Sequence, residues 1–394
     1  MDQKKKLLVT ASTFPRRAGD TEPRFVLDLA SHMTDEFDVT VLFPAAPGAE
    51  EQEILEGVNV IRYHYFPIHK WETLCYPGAI VPRIKEKKIR VFLVPFLFIS
   101  LYFHLLRLLP EYDIVHAHWL IPHGIVQSFF KKPYIVTGHG GDVFSLNKGF
   151  FRKLKVRCLE RAKQVTVVSE HLKNKVQELT PKIQPKVISM GFDSSQFGRQ
   201  FNISGYFGQG NKKVVLFVGR LVEIKGVSYL ISAIEKIDAM LVIVGDGVLK
   251  GELEQQGRKV NQLAGWSKIC FLGAKSHKEL QNIYASADVF VCPSVTVKDG
   301  AQEGFGLVML EAMASGLPVV ASKSGGIAQL IQDGINGILC EEKNVEQLAE
   351  SIELILNDTD LYIRITDNMK KTIEKYEYSV IGEKYKKILE ASID

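Results

Sequence analysis

The segment KVVLFVGRLVEIKG, residues 213–226, predicts the architecture of this 394-residue chain. Its first part is an unbroken apolar run rich in β-branched residues, which is typical of a strand covered on both faces. Gly219 ends the run, Arg220 and Lys225 bracket a short loop, and Gly226 opens a helical pattern. A buried strand, a glycine turn and a helix form the repeating unit of a parallel α/β sheet. The segment therefore predicts a doubly wound α/β fold.

The same unit recurs on both sides of this segment. Apolar runs alternate with helical patterns in two series, the first before residue 191 and the second after residue 212. The two series predict two Rossmann-like domains, over residues 1–195 and 196–375, which face each other across a deep cleft. The stretch 191–211 is rich in Gly, Ser, Asn and Gln, so we interpret it as the linker. The first-series runs are KLLVTAS, DVTVLFP, VNVIRYHY, YDIVHAHW, PYIVTGHG, QVTVVS and KVISM, and the second-series runs are KVVLFVG, MLVIVGD, KICFLG, VFVCPS, PVVAS and GILC.

Composition and missing motifs exclude several classes of protein. Five scattered cysteines without a CxxC pair argue against a disulfide framework and against a cysteine-based zinc site. The sequence has no GxGxxG after a strand, no P-loop, no HExxH and no GxSxG, which disfavours dehydrogenases, P-loop NTPases, zincins and serine hydrolases. Neither RNP-type nor helix-turn-helix signatures occur, so we expect no nucleic-acid partner. The N-terminal apolar run LLV is too short for a signal peptide, which favours the cytoplasm.

The first half of the chain is basic and contains one long apolar stretch. Residues 1–200 carry 28 Lys and Arg against 20 Asp and Glu, whereas the remainder is slightly acidic. Residues 91–109 are almost wholly apolar and follow the basic cluster RIKEKKIR at 83–90. This stretch could be a membrane span, a helix packed inside the first domain, or a helix lying in the interface of an anionic membrane. A span would place strands of one domain on opposite sides of the bilayer.

Two groups of charged residues stand near strand ends in the second half. Arg220 and Lys225 lie beside a helix N-terminus, a combination that can bind a diphosphate. The segment EGFGLVMLEAMASGLPVVAS, residues 303–322, adds Glu303 and Glu311, about 10–12 Å apart at helical rise. That separation is too wide for the carboxylate pair of a glycosidase and fits the two ends of a nucleotide sugar. Taken singly, these residues could also be solvated loop and surface charges.

Eight motifs occur in order along the chain: TFPRRAGDTEPRFVLDLA, DIVHAHW, IVTGHGGDV, VGRLVEIKG, IVGDGVLKGELE, ADVFVCPS, EGFGLVMLEAMASGLPVVAS and GGIAQLIQDGINGILC. This ordered set resembles the retaining family 4 glycosyltransferases of the GT-B fold. The resemblance covers nearly the whole chain and implies a hexosyltransferase that uses a nucleotide sugar, with a UDP-sugar favoured and GDP-mannose next. It also implies an acceptor that is a lipid-linked or cell-envelope glycan precursor, and a last helix, within residues 376–394, that returns to the N-terminal domain.

The resemblance implies roles for individual residues on the donor side. Arg220 and Lys225 would bind the diphosphate and stabilise it as leaving group. Glu311 would hold the ribose hydroxyls, and Glu303 would contact the transferred sugar. Backbone groups and flanking segments would complete the donor site, at Gly19, Gly245, Asp246, Leu272, Gly273, Gly304, Phe305, Gly306, Leu307 and Val308.

On the other side of the reaction, the resemblance identifies His139 as the active-site histidine near the sugar. Asp20, His118 and Asp142 are predicted on the acceptor side. The implied mechanism is a front-face transfer with retention of configuration that needs no metal and no cofactor. The short N-terminal run, and the basic clusters beside the apolar stretch 91–109, predict a cytoplasmic protein that associates peripherally with the inner face of the plasma membrane.

Several interpretations stay open at this point. The histidines at 116, 118 and 123 fit buried structural residues as well as site residues. The triplet Asp358–Thr359–Asp360 could be a metal clamp, although it lies in a polar break between two helical patterns. Gln329 stands where the family often has an acid. Alternative functions are a sugar-nucleotide epimerase of the same architecture and a non-catalytic, membrane-associated protein that binds nucleotide sugars.

Overall fold

The computed structural model describes residues 4–17, 20, 22–78, 80–208, 210–298 and 300–393. The chain divides into two compact units, unit 1 with Met1–Gly191 and Tyr378–Asp394, and unit 2 with Phe192–Glu377. The first boundary between the units lies after residue 191, four residues before the predicted one, and the second lies after residue 377, two residues beyond the predicted one. Each unit is built on a sheet flanked by helices, and the sheet is parallel apart from one edge pair in unit 1, which confirms the doubly wound α/β prediction.

Unit 1 contains an eight-stranded sheet with the order β3-β4-β2-β1-β5-β6-β7-β8. All neighbouring pairs are parallel except β3 with β4, an antiparallel pair at the edge that the sequence patterns missed. The strands are β1 Lys5–Thr10, β2 Phe37–Pro44, β3 Gln52–Leu55, β4 Val58–Tyr63, β5 Ile114–His118, β6 Tyr134–Gly138, β7 Gln164–Val167 and β8 Lys186–Val187. The α-helices are α1 Phe25–Ser31, α2 Ile80–Glu86, α3 Val94–Leu108, α4 Ile125–Gln127, α5 Gly141–Phe144, α6 Gly149–Arg161 and α7 Glu170–Leu179.

Unit 2 contains a six-stranded parallel sheet with the order β11-β10-β9-β12-β13-β14, which is the strand order of a Rossmann domain. Its strands β9, β10, β12 and β13 are buried along nearly their whole length, as their unbroken apolar sequences require. The strands are β9 Lys213–Val218, β10 Ala239–Val244, β11 Ile269–Gly273, β12 Val289–Cys292, β13 Val319–Ser322 and β14 Ile338–Cys340. The α-helices are α8 Val227–Ile234, α9 Lys250–Ala264, α10 His277–Ala285, α11 Leu307–Ala314, α12 Ile327–Leu330, α13 Val345–Asn357 and α14 Thr359–Glu374.

The last helix, α15 Tyr378–Ile393, belongs to unit 1. Its buried residues Ile381, Tyr385 and Leu389 join the same hydrophobic core as strands β1 and β2. The side chain of Tyr378 stacks on His32, with the ring centroids 5.0 Å apart. Helix α15 therefore completes a core that the first 191 residues begin.

The linker prediction for residues 191–211 was wrong for most of that stretch. Residues from Phe192 onward are part of unit 2, and they include two 3-10 turns, Ser194–Gln196 and Arg199–Phe201. Arg199 donates hydrogen bonds of 2.9–3.0 Å to the carbonyl oxygens of Ala285, Ala287 and Gly316. These bonds attach the segment to unit 2, although its Gly, Ser and Asn content is typical of a loop.

Candidate active site

The loops that follow β9 and β12 lie side by side in unit 2. These two strands are neighbours at the point where the strand order reverses, which is where open α/β sheets bind ligands. Arg220 follows β9, and Glu303 lies in the segment that follows β12. The backbone N–H of Val295 donates to the carbonyl oxygen of Ile224 at 2.8 Å, which ties the two loops together.

Lys225 and Glu303 form a partly buried ion pair between these loops. Their side chains are 12% and 14% exposed. Burial opposes both charges, but the attraction between them prevails, so the pKa of Lys225 is raised and the pKa of Glu303 is lowered. The guanidinium of Arg220 also lowers the pKa of Glu303, and it forms no ion pair among the described residues. Two cations and one carboxylate leave this cluster with a net positive charge that can bind an anion.

Gly226 allows the β9 loop to approach the β12 loop closely. It adopts a left-handed conformation with φ +61°, and a Cβ atom there would lie 1.9 Å from the carbonyl oxygen of Pro293. Any larger residue would therefore strain its own backbone and push the two loops apart. Helix α8 begins at the next residue, so this glycine also sets the position of the helix N-terminus beside Lys225.

We expect Gly226→Ala to lower the free energy of unfolding more than the matched variant Gly265→Ala. Gly265 also has a left-handed φ, +74°, but a Cβ there would meet nothing within 4 Å. The control should lose about 1–2 kcal/mol from backbone strain alone. Gly226→Ala should lose about 1–3 kcal/mol more because the Pro293 carbonyl must move. Urea unfolding of both full-length variants measures the difference, and equal losses would contradict the close approach.

Glu303 lies four residues before helix α11, in a non-helical loop. The predicted distance of about 10–12 Å between Glu303 and Glu311 assumed one continuous helix. That assumption was wrong because α11 begins at Leu307, after Gly306 with φ +83°. Leu307 and Val308 form the first helical residues, so their backbone N–H groups lie at the positive end of the helix dipole.

Two glycines that the sequence analysis missed hold the Glu303 loop. The backbone N–H of Gly326 donates to the carbonyl oxygen of Glu303 at 2.9 Å. A Cβ on Gly325 would lie 2.2 Å from the same oxygen, and one on Gly326 would lie 2.1 Å from the carbonyl oxygen of Gly304. The two consecutive glycines in SGGIAQ, residues 324–329, were the sequence feature that could have indicated this close approach of two backbones. Gln329, three residues further on, is exposed in the short helix α12.

Glu311 contacts Tyr284, whereas Glu303 pairs with Lys225, and no sequence pattern had indicated the contact with Tyr284. The Tyr284 hydroxyl donates to Oε2 of Glu311 at 2.8 Å. Burial raises the pKa of Glu311 to about 7, while the hydrogen bond from Tyr284 acts to lower it. Tyr284 itself is fully buried on α10. The carboxyl group of Glu311 therefore changes charge near neutral pH, unlike that of Glu303.

The other donor-side residues lie at the ends of β10 and β11, adjacent in the same sheet. The backbone N–H of Gly245 donates to the carbonyl oxygen of Gly273 at 2.9 Å. Leu272 precedes Gly273 in β11. The Asp246 carboxylate accepts a hydrogen bond from the N–H of Gly247 and pairs with Lys250 at 3.1 Å. Both strands end at the same edge as β9, so the predicted donor residues of unit 2 share one edge of its sheet.

In unit 1, His139 follows β6 and contacts His118, the last residue of the neighbouring strand β5. Nδ1 of His118 and Nε2 of His139 are 2.9 Å apart. Burial lowers the pKa of His139 to about 4 and lowers that of His118 as well, so both rings are neutral at pH 7. The rings of Phe25 and Trp119 lie 5.2 and 4.9 Å from His139. Its Nδ1 is buried without a hydrogen-bond partner among the described residues.

Asp142 holds the loop that carries His139. Its carboxylate accepts hydrogen bonds from the backbone N–H groups of Leu120, His139 and Gly140 at 2.8–3.1 Å. These bonds engage both carboxylate oxygens, so Asp142 holds this loop in place, and its predicted place on the acceptor side stays a prediction. Asp20 is likewise engaged, in a two-point ion pair with Arg16. The predicted residue Gly19 lies outside the described residues.

The remaining histidines are buried in unit 1, and the DTD triplet lies at the start of a helix. His116 and His123 are fully buried, and burial lowers the pKa of each to about 3. Asp358 caps helix α14 by accepting a hydrogen bond from the N–H of Leu361 at 2.9 Å. The triplet is therefore a helix start, and a metal clamp is not needed to explain it.

Two family models match the chain, one on each unit. The model described as Glycosyltransferase Family 4 matches residues 23–196, and the model described as Glycosyl transferases group 1 matches residues 200–372. An uncharacterized glycosyltransferase of Methanocaldococcus jannaschii is 32% identical over 84% of each chain. The N-acetyl-alpha-D-glucosaminyl L-malate synthase of Bacillus anthracis is 27% identical over 70% of this chain and 74% of its own.

Among solved structures, HepE of Anabaena in complex with UDP and glucose has the same fold. It superposes with a TM-score of 0.73 and 21% identity, and the match covers 98% of this chain and all of HepE. The fold of the two units is consistent with both family models and with the Methanocaldococcus jannaschii relative, all of which indicate a glycosyltransferase. The chain belongs to the family 4 glycosyltransferases of the GT-B fold and is an enzyme of the hexosyltransferase class.

Proposed function

We propose that this enzyme moves a hexose-type sugar from a UDP-sugar to the hydroxyl of a lipid-linked or cell-envelope glycan precursor, with retention of configuration. The observation that carries the proposal is the cluster of Arg220, Lys225 and Glu303 at the switch point of unit 2. Its net positive charge fits a diphosphate, and Glu303 adds a carboxylate that can accept hydrogen bonds from a sugar. HepE, which has the same fold, was solved in complex with UDP and glucose, and this supports UDP as the nucleotide of the donor.

In the proposed reaction, the bond from the anomeric carbon to the leaving phosphate oxygen breaks while the acceptor oxygen bonds to the same face of that carbon. The acceptor proton passes to the departing phosphate, so no protein base is needed. Negative charge grows on the diphosphate, and Arg220 and Lys225 stabilise it there. Because two cations supply this charge, we expect full activity without a metal or other cofactor. We place the enzyme in the cytoplasm, peripheral to the membrane.

A panel of nucleotide sugars tests the proposal. The full chain is incubated with UDP- and GDP-sugars, with and without lipid-linked acceptors and with a chelator, and release of the nucleoside diphosphate is measured. We expect release from a UDP-sugar, dependent on acceptor and unaffected by the chelator, and a product with the anomeric configuration of the donor. Donor isomerised without acceptor would instead identify an epimerase. Donor binding without any turnover would identify a non-catalytic binding protein.

The affinity for the donor should depend on pH through Glu311. A carboxylate accepts hydrogen bonds from both ribose hydroxyls, so we expect the donor KM to fall as pH rises through about 7. Tyr284→Phe removes a hydrogen bond that lowers the pKa of Glu311, so the inflection should move to higher pH. Steady-state kinetics from pH 6 to 9 measure this, the range being chosen about the pKa of Glu311.

The matched control for that variant is Tyr134→Phe. Tyr134 is also buried, but its hydroxyl donates to the carbonyl oxygen of Cys158 in unit 1. The control should leave the inflection in place. Glu311→Gln should remove the inflection altogether, since the glutamine does not titrate. A donor KM that does not change with pH in the unaltered enzyme would contradict the role of Glu311.

A further inference from the structure

Helix α3 and the 3-10 turn Lys88–Leu93 before it carry apolar residues on two opposite faces. The inner face is buried against unit 1 through residues spaced four apart, namely Leu97, Leu101 and Leu105. The outer face carries five apolar residues that follow one another at intervals of four, three, four and three positions, which is the spacing of one face of a helix. Each of the five is between 43% and 71% exposed. We call these five residues the α3 face: Phe92, Phe96, Ile99, Phe103 and Leu106.

Rings from two other segments extend this apolar surface. At one end, Phe66 lies 4.8 Å from Phe96 and 5.9 Å from Trp71, measured between ring centroids. At the other end, Tyr102 stacks on Phe130 with centroids 4.9 Å apart. Trp71 and Phe129 beside these rings are each about half exposed. Contiguous exposed apolar surface of this extent marks an interaction site rather than an ordinary solvent face.

Cations border the α3 face at both ends. Lys85, Lys87 and Lys88 precede it, and all three are exposed without an ion pair among the described residues. The acid between them, Glu86, is already shared by Arg83 and Arg90 at 2.7 and 2.8 Å.

At the far end of the helix, Arg107 and Lys131 are exposed and also lack an ion pair in the described part of the chain. The guanidinium of Arg157 lies 4.9 Å from the Phe129 ring centre. The exposed acid Glu111 lies at the same end, so the cations remain in excess there.

The helix is long and apolar enough to cross a membrane, but its place in the sheet excludes a span. Strand β1 comes before it in sequence, strand β5 comes after it, and the two are hydrogen-bonded neighbours. A bilayer cannot lie between them. Of the 18-residue apolar window only 22% is buried, which also excludes a helix enclosed by its own domain.

We propose that the α3 face docks on an anionic membrane, with the helix lying parallel to the bilayer surface. Apolar residues on one helix face and lysines at its edge are the composition of interfacial helices. Anionic headgroups complement the unpaired cations at both ends. Docking is a property of this surface and goes beyond sugar transfer. Access to a lipid-linked acceptor is its consequence only if the proposed function is right.

A second copy of the chain is the competing occupant, because the same spacing occurs in paired helices. Charge disfavours it. In a symmetric antiparallel pair, the lysines at one end of α3 would face Arg107 and Lys131 of the other copy. Like charges would then meet at both ends. An anionic surface has no such repulsion.

Vesicle sedimentation of the full-length chain tests the proposal. We expect the chain to bind phosphatidylcholine vesicles that contain phosphatidylglycerol, to bind phosphatidylcholine alone far less, and to be released by salt. Ile99→Ser/Phe103→Ser should weaken binding by at least about tenfold. Lys85→Gln/Lys87→Gln/Lys88→Gln should weaken it on the order of a hundredfold, since each cation near the surface contributes about fivefold.

The matched control is Leu263→Ser/Ile363→Ser, which removes two exposed apolar residues from unit 2. It should bind like the unaltered chain, and circular dichroism with gel filtration should show all variants folded. Equal recovery in the supernatant with and without phosphatidylglycerol would overturn the proposal. So would a dimer that Ile99→Ser/Phe103→Ser dissociates. Binding to vesicles together with no release of nucleoside diphosphate from any donor would overturn the proposed function and leave the docking surface standing.

Discussion

We expect Lys225→Met to lower kcat/KM by about a hundredfold, because the proposed role of the Lys225 ammonium is to stabilise the departing diphosphate. Removing one charge-assisted contact to developing negative charge costs about 2.7–4 kcal/mol in comparable sites. The methionine keeps most of the apolar stem and loses the charge. Measurement of kcat/KM against the nucleotide sugar that the panel identifies gives the effect directly.

The same substitution also leaves Glu303 without its partner, so its effect on folding must be separated from its effect on catalysis. Breaking a buried pair by removing one member typically costs about 3–5 kcal/mol of stability, and this pair is partly exposed, so we expect less. The double variant Lys225→Met/Glu303→Gln removes the stranded charge and should recover stability without recovering activity. Recovery of both would show that Lys225 acts only through the fold.

Lys236→Met provides the control for a lysine in an ion pair. Lys236 pairs with Glu346 at 2.5 Å, but both side chains are more than half exposed. Lys236 lies two residues after helix α8, and Glu346 lies in helix α13. We expect kcat/KM to be unchanged and stability to change by less than about 1 kcal/mol. A Lys225→Met enzyme that is folded and as active as this control would contradict the phosphate assignment.

Where strands are buried on both faces, the sequence alone was sufficient to predict the fold. Strands β9, β10, β12 and β13 each correspond to an unbroken apolar run, and such runs have few alternatives to a covered parallel strand. Strand β3 was missed because it is a short, partly exposed edge strand, Gln52–Leu55, whose two polar residues leave no apolar run. The segment after residue 191 was misassigned because its attachment depends on hydrogen bonds from Arg199 to residues more than eighty positions away.

The candidate site was predictable where function depends on a local pattern. Arg220, Lys225 and Gly226 occupy one loop, so their proximity follows from the sequence. Tyr284 lies 27 residues before Glu311 on another helix, and only the packing of α10 against α11 reveals their hydrogen bond. The apolar stretch 91–109 showed that α3 is hydrophobic, but composition alone could not show which stripe of the helix faces the core.

The contact between His118 and His139 leads to the second large effect. Both rings are neutral, so one nitrogen of the pair donates and the other accepts. When Nδ1 of His118 donates, the proton of His139 must sit on its own Nδ1, the buried atom that lacks a partner among the described residues. If His139 contacts the sugar, as the resemblance predicts, this N–H is the group available to donate to a sugar hydroxyl. On the prediction that His139 contacts the sugar, His118 is a positioning residue that sets the tautomer of His139.

We expect His139→Ala to lower kcat by about a hundredfold with little change in the donor KM, since a preorganised donor is lost while the diphosphate contacts in unit 2 remain. His118→Asn should retain most of the activity, because the asparagine amide can place a donor near the position of Nδ1. His118→Leu should approach the loss seen for His139→Ala. A merely structural role for His118 would make the asparagine and leucine variants equally poor.

The pH profile of kcat distinguishes this neutral pair from a histidine that works as a cation. Because the pKa of His139 is lowered to about 4, kcat should be flat on the acid side and fall only as pH approaches that value. A histidine that works as a cation with its ordinary pKa near 6.5 would instead lose kcat as pH rises between about 6 and 7. A fall of kcat as pH rises through about 6 to 7 that disappears in His139→Ala would show that the protonated ring is the active form. It could not then accept a proton from His118, and the positioning argument would fail.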